Sequence, residues 1–188
     1  MSSHSESVDA IIALGSNLDS CAGSPLATLC AARDALAKLP NATVEKSSAV
    51  WKTAPVGIVD QPDFFNAALI LRTALSPHAL LQCLQEVERQ FGRDRSHELR
   101  WGPRSLDLDI IFYGTRIIDE PDFSIPHPRF AQRAFVLFPL MELAPTMVDP
   151  RSGLSVESLL RSLPCHDGVV RLGQLTGRDN DESQERLT

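Results

Sequence analysis

Two carboxylates separated by one residue, Asp107 and Asp109, open an apolar run that continues to Tyr113. If that run is a strand its side chains alternate, so both acids share one face while Leu108, Ile110 and Phe112 share the other. Like charges this close resist joint ionisation, and a divalent cation between them is one way to keep both ionised. The spacing therefore suits a magnesium site. It also suits a solvated strand edge bridged by Arg100 and Arg104. The residues just upstream shift the balance: Gly102 and Pro103 fix a tight bend that aims Arg104 at the same end of the strand as the acids. An arginine fork beside a metal-binding carboxylate pair is what a polyphosphate requires.

The elements that must carry these groups are legible from periodicity and punctuation. Val8 to Leu14 is a short apolar strand entering a loop at Gly15-Ser16-Asn17. Ser24-Pro25 starts a helix with apolar positions at Leu26, Leu29, Leu36 and Leu39, and Pro40-Asn41 ends it. A strand is predicted over Thr43 to Val50, a loop over Thr53 to Pro62, and a second strand over Phe64 to Thr73. Ser76-Pro77 repeats the helix start, Leu80, Leu84, Val87 and Phe91 form its apolar face, and Gly92 stops it. The charged stretch 93–99 reads as a mobile loop before the acid-bearing strand. Helices are expected over Phe135 to Leu143 and Ser155 to Leu163.

The order strand, helix, strand, strand, helix, strand is that of a split βαβ unit. The expected fold class is α+β: a ferredoxin-like α/β sandwich with an antiparallel central sheet and extra C-terminal helices. The chain of 188 residues is long enough for one domain with a substantial core and short for two. Its expected layout is a flexible N-terminus over 1–8, the domain over 9–165 and a disordered tail over 166–188. The four cysteines show no Cys-x-x-Cys spacing, and the polar N-terminus carries no signal-peptide pattern, so a reduced, cytoplasmic protein with no membrane span is expected. A net charge of −6 argues against general nucleic-acid binding. Yet Arg93, Arg95, Arg100, Arg104, Arg129 and Arg133 gather within one part of the chain, a local basic site suited to a small anion.

The run from Arg100 to Ile111 resembles the signature of the 6-hydroxymethyl-7,8-dihydropterin pyrophosphokinase family. Four further blocks resemble the family in the same order: Ala13 to Asn17, Thr53 to Gly57, Asp60 to Ala68, and Ile125 to Pro128 with Arg133 to Leu137. The resemblance covers about Asp9 to Pro164. It implies a magnesium-dependent transferase that moves diphosphate from ATP to the hydroxymethyl group of 6-hydroxymethyl-7,8-dihydropterin, with release of AMP, in tetrahydrofolate biosynthesis. Two Mg²⁺ ions held by Asp107 and Asp109 and a monomeric, monofunctional protein are the corresponding expectations.

The resemblance also implies residue roles. Arg93 and Arg104, with Asp107 and Asp109, are the expected catalytic groups. ATP is assigned to Gln85, Glu88, Arg93, Trp101, Arg104, Ile110, His127 and Arg133, and the pterin to Thr53, Ala54, Val56, Phe64, Asn66, Asp107 and Phe135. A flat heterocycle with donor and acceptor edges needs an amide and aromatic faces, which Asn66, Phe135 and Phe64 can supply. Arg129 reads as a surface charge. The segment between Arg93 and Trp101 is about one residue longer than the family pattern, which leaves Arg95 and His97 without a role. Two other classes fit parts of the chain: a nucleotidyltransferase, disfavoured because the acids lie far downstream of Gly15-Ser16, and a non-catalytic ferredoxin-like binding module.

Overall fold

A computed structural model describes residues 7–55, 60–94, 102–164 and 168–177. The elements, in chain order, are β1 (Val8–Ser16), α1 (Pro25–Ala37), β2 (Ala42–Ser47), β3 (Ala49–Thr53), β4 (Phe64–Thr73), α2 (Pro77–Gln90), β5 (Asp107–Tyr113), β6 (Ile118–Glu120), β7 (Phe123–Ile125), a 3₁₀ turn (Phe130–Gln132), α3 (Ala134–Leu143), α4 (Val156–Ser162) and β8 (Val169–Gln174). The main sheet runs β5-β1-β4-β3-β8, with β2 also paired to β4, and every pairing is antiparallel. This is the expected ferredoxin-like arrangement. Helices cover both faces: α1 and α2 pack with Ile12, Leu69 and Leu108 on one side, and α3 and α4 pack with Ile11, Ala68 and Phe112 on the other. Among the described residues no helix is long and apolar enough to cross a membrane.

Both long helices begin as the sequence indicates. Ser24 Oγ accepts from Ala27 N and Ser76 Oγ accepts from Ala79 N, each at 3.3 Å, with proline in the first turn. The end of α2 matters more for the site. Gly92 adopts φ +87°, its N–H donates to Arg89 O at 3.0 Å, and Arg93 N donates to Glu88 O at 3.1 Å. That pair of bonds is a Schellman motif, and it turns the chain so that Arg93 folds back beside Glu88.

Three expectations need correction. The predicted strand from Thr43 to Val50 is broken at Ser48 and runs on to Thr53; Ser48 bridges the break, its Oγ accepting from Ala68 N at 2.9 Å. Phe112 does not share the face of Leu108 and Ile110. The register between β1 and β5 slips between Ile11 and Ile12, making Ile111 the extra residue of a bulge, so Ile111 and Phe112 both join the α3 side. The tail expected to be disordered from residue 166 instead forms β8 over Val169–Gln174, paired with β3. Leu175, 2 % exposed, pins its far end, and Arg171 Nε donates to Glu142 Oε1 of α3 at 2.6 Å. Backbone pairing to an open edge, rather than an apolar face, holds this strand, which explains its weak sequence signal.

Candidate active site

One row across the sheet supplies the floor of the site. Asp107 of β5 lies opposite Gly15 of β1, Gly15 opposite Asn66 of β4, and Asn66 opposite Trp51 of β3. Gly15 is the low point of this row: a Cβ there would stand 3.4 Å from Asn66 Oδ1 and 3.8 Å from Asp107 Cβ, filling the space between amide and acid. Asp109, two residues along, lies opposite Ala13, another small residue. The small side chains of Gly15 and Ala13, between Asn66 and the two acids, leave a cavity of about 520 Å³ above the sheet, on the α3 side.

The cavity has two chemically distinct ends. At one, Thr53, Ala54, Phe64, Asn66 and Phe135 line it. Asn66 is 4 % exposed, and its Nδ2 donates to Thr53 Oγ1 at 2.9 Å, which fixes the amide and leaves Oδ1 on the Gly15 side. At the other end stand Arg104, Asp107, Asp109, Arg129 and Arg133. The loop carrying Arg104 is held by the end of β1: Asn17 Oδ1 accepts from Arg104 N at 2.7 Å, and Ser16 Oγ donates to Ser105 O at 2.6 Å. Asn17 Nδ2 donates to Pro62 O at 3.0 Å as well, tying together the two loops that flank the cavity. Sequence reasoning gave Ser16 and Asn17 no such part. Their burial, at 0 % and 2 % exposed, is the signal that a polar pair after a strand does positional work.

Asp107 and Asp109 differ sharply despite their common face. Burial pushes the Asp107 carboxyl upward, but the Arg93 and Arg104 charges and hydrogen bonds outweigh it and hold the group below the ordinary carboxylate range. Arg104 Nη1 donates to Asp107 Oδ2 at 2.7 Å, while Arg93 Nη1 pairs with both Asp107 Oδ1 and Glu88 Oε1. Asp109 is pushed up to about 7, first by burial and then by the Asp107 charge, with Arg133 pulling the other way. His127 Nε2 lies 3.8 Å from Asp109 Oδ2. Its Nδ1 accepts from Arg129 N at 3.2 Å, which assigns the proton to Nε2; burial and the Arg133 and Arg129 charges push this imidazole down to about 4. His127 is therefore a neutral N–H donor at pH 7.

The expected residues sort as follows. Thr53, Ala54, Phe64, Asn66, Arg104, Asp107, Asp109, Arg133 and Phe135 line the cavity together. Arg93 and Glu88 stand behind Asp107; Glu88, 1 % exposed, also accepts from Leu108 N at 2.8 Å and caps the free edge of β5, so it supports the acids instead of facing the cavity. Gln85 is exposed on α2, and Ile110 is buried in the core on the opposite face of the sheet. Val56, Trp101, Arg95 and His97 lie outside the described residues. Arg129, read from sequence as a surface charge, lines the cavity.

Two acids shifted in opposite directions, flanked by arginines and continuous with an amide-and-aromatic slot, mark the cavity of this ferredoxin-like domain. Residues 11–145 match the profile of the 7,8-dihydro-6-hydroxymethylpterin-pyrophosphokinase family, and the chain belongs to that family. It is 42 % identical over 156 residues to the 2-amino-4-hydroxy-6-hydroxymethyldihydropteridine pyrophosphokinase of Synechocystis, covering 83 % of this chain and 76 % of the relative. The Pseudomonas aeruginosa protein of the same name is 42 % identical over 161 residues, 86 % of this chain and 94 % of the relative. Among solved structures, wild-type Plasmodium falciparum HPPK-DHPS with pteroate superposes with a TM-score of 0.65 at 13 % identity, over 86 % of this chain and 43 % of that longer one. At that identity the likeness speaks to the fold.

Proposed function

We propose that this protein transfers the terminal diphosphate of ATP to the hydroxymethyl group of 6-hydroxymethyl-7,8-dihydropterin, in folate biosynthesis. The hydroxymethyl oxygen bonds to the β-phosphorus, the bond from that phosphorus to the α–β bridging oxygen breaks, and AMP leaves with the bridging oxygen. The alcohol proton passes to water; a loose phosphoryl transition state asks for little base catalysis. The observation that carries the reading is the single cavity that joins a slot of Thr53, Asn66, Phe64 and Phe135 to a centre of Arg104, Asp107, Asp109 and Arg133.

The slot orients the acceptor. Asn66 Oδ1 can accept from the pterin's amino and ring N–H edge, and the Phe64 and Phe135 rings can flank the heterocycle. Arg104 and Arg133 neutralise phosphate oxygens, and His127 can donate its Nε2–H to another without adding charge. Asp107 and Asp109 fit Mg²⁺: they are neighbouring carboxylates, and burial with the Asp107 charge raises Asp109 to about 7, a cost that a bound cation would relieve. Among the described residues no group of three or more His, Cys, Asp or Glu side chains gathers into a metal cage, so phosphate oxygens and water would complete the coordination. Such ions, when bound, polarise the phosphate oxygens and align the displacement. A monomer is the proposed working unit and the cytoplasm the proposed compartment.

The test is to incubate the protein with ATP, Mg²⁺ and the dihydropterin and identify the products. AMP and pterin diphosphate in equal amounts are expected. Release of ADP or inorganic diphosphate, or no turnover by a folded protein, would overturn the reading; diphosphate release would point to nucleotidyl transfer.

A further inference from the structure

The segment from His127 to Arg133 forms overlapping turns: Phe130 N donates to His127 O, Gln132 N to Arg129 O and Arg133 N to Phe130 O, at 3.1 to 3.2 Å. Phe130 anchors them, 3 % exposed, with its ring edge-on to Phe112 at 4.9 Å and 71°. In a 3₁₀ turn side chains three apart lie over one another, so Arg129 and Gln132 share a side turned from Phe130; both line the cavity, as does Arg133, whose extended backbone ends the turn.

We infer that Arg129 is a further polyphosphate-binding residue, forming with Arg133 a second cationic arm beside Arg104 in the acid-centred end of the cavity; this rests on the diphosphoryl-transfer reading above. Two features support it. Arg129 and Arg133 line the same cavity as the two acids, and the Arg129 charge adds to burial in lowering the Arg133 pKa, so the fold brings two guanidiniums together there at a cost to Arg133. An anion between them removes that cost. The backbone of Arg129 also fixes the His127 ring through the Arg129 N to His127 Nδ1 bond, so one residue orients the neutral donor and supplies the charge beside it.

The test compares Arg129→Gln and Arg129→Lys with the wild type. Binding of α,β-methylene-ATP, in which the bond to be broken is blocked, is measured by calorimetry with Mg²⁺ present, and KM is measured for both substrates. R129Q is expected to weaken the analogue about tenfold and to raise the KM for ATP by a similar factor, a loss of the size of one charge-assisted contact. The KM for the pterin should stay as in the wild type, and R129K should fall between. Analogue affinity unchanged in R129Q, or pterin and nucleotide weakened equally, would overturn the assignment. If R129Q does not fold, R129K decides: its nucleotide affinity must drop while its pterin affinity holds. A wild type that binds the analogue yet makes no AMP would sink the reaction and leave the Arg129 result standing.

Discussion

At the start of β5, charges pair with one another: Glu88, Arg93, Asp107 and Arg104 form a chain of ion pairs, and Glu88 and Arg93 are 1 % and 8 % exposed. Around Asp109 the groups are instead shifted from their ordinary values. Asp109 faces His127 at 3.8 Å, and burial with the nearby arginine charges keeps that ring neutral while Arg129 and burial depress Arg133. The first region is held by its own ion pairs; in the second, the raised Asp109 and lowered Arg133 are shifts that a cation and an anion would relieve. Asp107 and Asp109, identical in type and two residues apart, therefore rest in different states.

The largest effect that probes this contrast is on turnover. Asp107→Asn and Asp109→Asn should each lower AMP formation on the order of 10³-fold, since either removes charge that organises the phosphates. Retained turnover in D109N would detach Asp109 from the reaction. Stability should separate what activity does not. Glu88→Gln leaves Arg93 with a weakened buried partner, and a loss of about 3 kcal/mol is expected in urea unfolding. D107N should destabilise in the same direction because two arginines lose their partner, whereas D109N relieves repulsion and should melt no lower than the wild type. Repulsion between the acids, taken from sequence alone, implies relief in both variants; the ion pairs on Asp107 reverse that expectation for one of them.

The pH dependence of the free protein has opposite signs in the two regions. An unfolded aspartate ionises at about 4, while folded Asp109 keeps its proton up to about 7. What Asp109 contributes to stability is thus full below the unfolded value and is lost as pH rises towards 7. Asp107, held below the ordinary range, contributes above the unfolded value and loses that contribution in acid. The wild type should therefore gain on D109N as pH falls from 7 to 4, measured by thermal unfolding; a constant difference breaks the contrast. The smallest effect lies in the acceptor slot. Thr53→Val removes the oxygen that accepts from Asn66 Nδ2 at 2.9 Å, at a cost of about 1 kcal/mol, or roughly fivefold in the KM for the pterin, with the KM for ATP unmoved.

Sequence carried the elements whose signals are local. Ser-Pro starts, Gly92 and the apolar periodicity of α1, α2 and β4 gave the ferredoxin-like order. The alternation at Asp107 and Asp109 put both acids on one face, and it failed at Phe112 only because a bulge at Ile111 is a property of two strands together. β8 was hidden for a related reason: its stability comes from the edge of β3, about 120 residues away in sequence, and few of its own side chains are buried. Within the site, residue types and spacing marked Arg104 and the acids, and the family resemblance marked Asn66. They did not mark Glu88 as a support, or Arg129 as part of the cavity wall. Those roles depend on where a helix end and a 3₁₀ turn deliver side chains, and nothing in the types Glu and Arg distinguishes a buried partner from a solvated one.

The distinction between the two carboxylates is most directly measured by carbon-13 NMR titration of the aspartate side chains in the free protein, with D107N and D109N used for assignment. Asp109 should titrate near 7 and Asp107 below the ordinary aspartate range. Two ordinary midpoints, or the reverse order, would contradict the account of one acid held ionised by its arginines and one held protonated by burial and its neighbour.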